Sequence, residues 1–179
     1  MVFHPVVAGS AASILGYPIG HYITSQRDLL DNSGVPLING IKSRLGEYFP
    51  RADLDRARLV EREPIPIAAP PFRRTARLLG LYFPELRFAG AITLDHIIAS
   101  REPLVLSVLF HELVHVVQFR LLGVDAFARL YVRGLLRGGS YEGIPLERCA
   151  LELEHRFEIS SSRFDVDAEV KSWIKRDLF

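Results

Sequence analysis

The chain has 179 residues, 49% of them hydrophobic and 24% charged, and a net charge of +1. That length and composition suit a single domain over residues 1–179 with a sizeable core, and they exclude a disordered chain. The charge balance carries no nucleic-acid or membrane footprint, and the lone Cys149 excludes an internal disulfide and a four-cysteine zinc site.

A single cysteine among apolar neighbours reads as a small core residue in a reducing compartment. The first Lys or Arg is Arg27, too late for the basic start of a secretory signal. The expected location is therefore cytoplasmic rather than secreted.

In chain order, residues 1–34 are rich in Gly, Ser and Pro and predict one short helix near residues 23–30. The stretch GVPLINGIKSRLGEYFP has Leu37, Ile38, Ile41, Leu45 and Tyr48/Phe49 at helical spacing. Pro36 suits its first turn and Pro50 its stop. RARLVERE, residues 56–63, predicts a strand. PIPIAAPP, residues 64–71, is too proline-rich for either regular element and should be extended. RRTARLLGLYF, residues 73–83, reads as a short helix. In AGAITLDHIIAS, the β-branched content and the alternation of Ile92, Leu94, His96 and Ile98 predict one strand, with His96 structural. Residues 1–60 carry no recognisable signature and stand as an N-terminal extension or subdomain.

Ser100 can cap the next helix, with Pro103 in its first turn and Gly123 as its stop. Residues 103–122 form the longest apolar run, but they carry His111, Glu112, His115, Gln118 and Arg120. Charges near a bilayer centre are costly, so a buried helix is expected and no transmembrane segment. VDAFARLYVRGLLRGG and IPLERCALELEHRF predict two more helices. FDVDAEVKSWIKRDLF predicts a last amphipathic one, with Val166, Val170, Trp173, Ile174 and Leu178 on one side. The order, some helix and strand first and then a mainly helical C-terminal half, is an α+β pattern.

The chemistry sits in LFHELVHVVQF. His111 and His115 are four apart, so their imidazoles share one helix face. Glu112 lies about 100° round from His111. It can reach a metal-activated water without being a ligand. This is the HExxH arrangement of two Zn2+ ligands and a general base. A catalytic zinc site takes a third protein ligand and keeps an open position. Downstream candidates are Asp125, Glu142, Glu147, Glu152, Glu154 and His155. Spacing favours Glu147, because 32 residues after His115 accommodate one helix and a turn, with Glu154 or His155 next. Gln118 lies along the metal face, as a hydrogen-bond partner in the site or a cap on its polar cluster. Tyr141 is a candidate to stabilise an oxyanion or a packed turn residue.

HELVHVVQF followed by YEGIPLERCA resembles the zincin-like, gluzincin-type metallopeptidase domain of unknown function found in bacterial proteins. The similarity covers residues 91–157, the expected metal-binding core. It implies His111, His115 and Glu147 as zinc ligands, Glu112 as catalytic base and a sheet edge beside the active helix. Many gluzincins place an Asp four residues after the ligand Glu to orient the first histidine. Here that residue is Leu151, so Glu154 or a backbone carbonyl should serve. The expected function is a zinc-dependent metallohydrolase, a peptidase whose partner is a peptide or protein substrate. The alternatives are a zinc-binding accessory or interaction module without turnover, and a helical domain without metal.

Overall fold

The computed structural model describes residues 5–70, 89–138, 142–160 and 162–179, with side chains from residue 17. The helix expected at residues 73–83 and Tyr141 lie outside the described residues. The rest form an α+β arrangement of seven helices and a four-stranded mixed sheet.

The N-terminal stretch folds as one long helix, α1 (Pro5–Asp31), which contains and far exceeds the short helix expected near residues 23–30. It runs through Pro18, which removes a backbone donor and costs about 3 kcal/mol in a helix interior. Local propensity therefore argues against the helix, and tertiary packing restores it. Ile19, Tyr22, Ile23 and Leu30 enter the core. A Cβ at Gly20 would stand 2.5 Å from Asp125 Oδ1, so the absent side chain permits close approach to a later helix.

The next stretch divides. Val35–Pro36 is a short strand, β1, and the helix α2 covers only Asn39–Leu45. Pro36 thus sits in a strand rather than a first helical turn. Pro50 does not simply stop a helix, since it is the N-cap of α3 (Arg51–Arg56). The expected strand appears as β2 (Arg58–Glu61). The proline-rich segment over residues 64–70 is neither helix nor strand, as expected, but it is not simply extended, since the Ile67 N–H donates to the Ile65 carbonyl at 2.8 Å in a tight turn. Its Ile65 and Ile67 are buried. Tyr22 donates its hydroxyl to the Ala68 carbonyl at 2.6 Å, and the Ala68 N–H donates to Gln26 Oε1 at 2.7 Å. Burial pushes the Tyr22 phenol up to about 12.

The strand expected over residues 89–100 is a hairpin, β3 (Ala91–Leu94) and β4 (Ile97–Ser100). Leu94 pairs with Ile97, leaving Asp95 and His96 as the turn. Asp95 adopts φ 61°, a conformation that a short polar side chain tolerates. His96 is therefore at a turn, where its Nε2 is 3.0 Å from Asp31 Oδ1. The sheet order is β1-β2-β4-β3, with β2 and β4 parallel and both outer pairings antiparallel. β3 is thus an edge.

Helix α4 (Leu106–Leu122) begins at an N-cap Val105 without a side-chain cap, and Gly123, at φ 77°, ends it. Ser100 stays in β4 and does not cap the helix, and Pro103 precedes the helix instead of lying in its first turn. Leu109 through Phe119 are all buried. A helix covered on every side belongs at the centre of the fold. Helices α5 (Val124–Gly138), α6 (Pro145–Ile159) and α7 (Val166–Lys175) follow as expected. Val166, Val170 and Trp173 of α7 are buried, whereas Ile174 is exposed. No single helix among the described residues is long and apolar enough to cross a membrane.

Candidate metal centre

Three elements build the site. Helix α4 supplies His111 and His115, one turn apart on the face turned to α6. Helix α6 supplies Glu147 in its first turn, just after Pro145. The edge strand β3 approaches from the other side of Glu112.

The three expected ligands come together. His111 Nε2 and His115 Nε2 are 3.1 Å apart, and Glu147 Oε2 is 3.3 Å and 3.1 Å from them. All three residues are buried, and these atoms form a group able to hold a metal ion. Two ligands at 2.0–2.2 Å from a tetrahedral zinc lie about 3.3 Å apart. The spacing therefore fits such an ion. The other candidates stand elsewhere: Asp125, Glu142, Glu152 and His155 are exposed, and Glu154 serves a different purpose.

The ring tautomers follow from the outer contacts. Gln118 Nε2 donates to the Leu146 carbonyl at 3.0 Å, which turns its Oε1 toward His115 Nδ1 at 2.8 Å. An amide oxygen only accepts, so His115 Nδ1 carries the proton. Glu154 Oε2 lies 3.0 Å from His111 Nδ1, which likewise must donate. In both neutral rings Nε2 is then a bare lone pair. Two bare nitrogens and a carboxylate oxygen face one another in a buried space. Such a group needs a cation or a proton among them. Burial works against the His115 cation, but the Glu147 carboxylate outweighs it and pushes the ring up to about 9.

Glu154, and not the residue at Leu151, places a carboxylate against His111 Nδ1. It is seven residues after Glu147, so both carboxylates project from one face of α6. Gln118 is a hydrogen-bond partner within the site, and it also ties α4 to the residue before Glu147.

Two contributors have no signal in the sequence. Tyr131 of α5 hydrogen-bonds Glu147, and burial together with that carboxylate drives its phenol far above the ordinary value. It remains a donor. Thr93 of β3, a buried residue, places its hydroxyl 2.6 Å from Glu112 Oε2 and 3.2 Å from the Glu112 carbonyl. Both contacts depend on chain segments that meet only in the fold. Burial pushes the Cys149 thiol up to about 12, as suits an unreactive core residue.

A cleft of about 640 Å³ opens over His111, Glu112 and Glu154. Val105, Val108 and Leu151 line its apolar side, and Arg101 and Glu102 its polar rim. Its volume lies in the range of ligand sites.

No protein-family model, curated protein or solved structure matches the chain.

Proposed function

We propose that the chain is a zinc-dependent metallohydrolase of the zincin type that cleaves peptide bonds, with His111, His115 and Glu147 as the zinc ligands. The observation that carries this reading is the convergence of three buried lone-pair donors, each backed by its own hydrogen-bond partner. A carboxylate and a cleft stand beside them. The resemblance of HELVHVVQF and PLERCA to the gluzincin pattern points the same way. Zinc in such a site supplies a Lewis acid that acidifies water and polarises a carbonyl.

The protein's own groups then have distinct parts. Glu112 accepts the proton of the attacking water and returns it to the departing amine nitrogen. Glu154 and Gln118 hold the two imidazoles in the tautomer that exposes Nε2. Tyr131 steadies the Glu147 carboxylate. The apolar wall at Val105, Val108 and Leu151 receives side chains of a peptide substrate and limits water at the cleft.

The second reading is a zinc-holding interaction module without turnover. Leu151, in place of an orienting carboxylate, favours it on sequence grounds. The Glu154–His111 contact supplies that carboxylate from another position and weakens the case.

The deciding experiment exposes the zinc-loaded protein to a library of quenched fluorescent peptides. Cleavage is expected, with a loss of about 10²–10⁴-fold in Glu112→Gln while zinc is retained. Zinc at full occupancy with no peptide cleaved would overturn the peptidase reading and leave the interaction module.

A further inference from the structure

We propose that the β3–β4 hairpin is an arm that directs the Glu112 carboxylate, with Thr93 as the positioning residue at its point of contact. The inference rests on the metallohydrolase reading and adds to it the source of the base's orientation. A glutamate side chain has three rotatable bonds and, on its own, sweeps a wide arc. One hydrogen bond to one oxygen removes most of that freedom and decides where the other oxygen points.

The geometry at Thr93 does this. Its hydroxyl carries a single proton, and the carboxylate Oε2 at 2.6 Å is closer than the Glu112 carbonyl at 3.2 Å. The charged acceptor takes the proton. Threonine is β-branched and stiff about χ1, so the donor stays where the strand puts it. Both partners are buried, which keeps water from substituting for the contact.

The strand itself is held from a distance. Asp95, at the hairpin tip, receives Arg56 Nη2 on both oxygens at 2.6 Å and Arg27 Nη1 at 3.1 Å. His96 meets Asp31 beside it. Arg27 and Asp31 belong to α1 and Arg56 to α3. Helices from the first 60 residues therefore clamp the tip, and the strand carries that placement to the base. This gives residues 1–60, which show no motif, a part in the site.

The test uses zinc-loaded protein and acetohydroxamate, a zinc chelator whose hydroxyl proton passes to a carboxylate aimed at it from beside the metal. Zinc affinity is measured alongside. Thr93→Val should keep zinc and bind acetohydroxamate about tenfold more weakly, and Thr93→Ser should restore binding to within about twofold. In a Glu112→Gln background, Thr93→Val should have no further effect, because it acts through that carboxylate. Wild-type affinity in Thr93→Val, an undiminished effect in the Glu112→Gln background, or loss of zinc in Thr93→Val would each overturn the proposal. A wild-type protein that takes up no zinc would instead overturn the metallohydrolase reading and this inference with it.

Discussion

His115 shows how one side chain ties burial to metal binding. It is buried, its Nδ1 proton is committed to Gln118, and its Nε2 faces His111 and Glu147. With its pKa raised to about 9, the metal-free ring is protonated at neutral pH. A raised pKa contributes stability that is fully present below about 6.5, the ordinary histidine value. That contribution is lost as pH rises through about 9. Chelated protein should accordingly show a falling melting temperature between these values. Zinc must displace the same proton. Calorimetric titrations at pH 7.5 in buffers of different ionisation enthalpy should register close to one proton released per zinc, falling toward none as the pH is raised above about 9. Gln118 offers a second check at this scale. Gln118→Leu leaves the His115 Nδ1 proton without an acceptor, and it should weaken zinc binding by about 10–100-fold in competition with a chelating dye.

The elements are placed by close contacts as much as by their own propensities. A Cβ on Gly134 of α5 would lie 2.8 Å from Pro145 Cδ and 3.2 Å from Ile144 Cα. The backbone and ring there cannot rotate away, so Gly134→Ala should push α5 from the start of α6. We expect a loss of about 1–3 kcal/mol in denaturant unfolding and weaker zinc binding, since Glu147 stands in that first turn. The helices from α4 onward were legible in the sequence because their signals are local: Gly123 as a stop, Pro145 as a start, and apolar residues at helical spacing. The hairpin was not, because Asp95-His96 lacks the glycine that usually marks such a turn. Its φ 61° is held by Arg27 and Arg56, far away in the chain. Helix α1 was hidden by Pro18, whose local cost is met by packing. The site divides the same way. His111, Glu112, His115 and Glu147 could be picked out by spacing. Gln118 and Glu154 could be put forward as partners. Thr93 and Tyr131 could not, because their contacts with Glu112 and Glu147 arise only when β3 and α5 are brought against α4 and α6.

Across the described residues, one apolar cluster surrounds α4 and draws on every helix and three of the sheet's strands. Long-range ties reinforce it: Arg120 Nε donates to Asp53 Oδ1 at 2.7 Å and the same guanidinium reaches Asp167, joining α4 to α3 and α7. Tyr22 and Gln26 fasten the proline-rich segment at Ala68 to α1. At the middle of this frame lie two imidazoles and a carboxylate that together could hold a metal ion. Bound metal should therefore stabilise the whole fold, by about 4 kcal/mol when free zinc is 1,000 times its dissociation constant, and chelation should lower the melting temperature accordingly. The central claim is that His111, His115 and Glu147 hold a single zinc ion together. Its most direct test is the metal content of wild type, Glu112→Gln and His115→Ala after loading with zinc and dialysis. The account predicts one zinc per chain in wild type and in Glu112→Gln, and none in His115→Ala. Wild type without zinc, or His115→Ala with a full complement of it, would contradict the account.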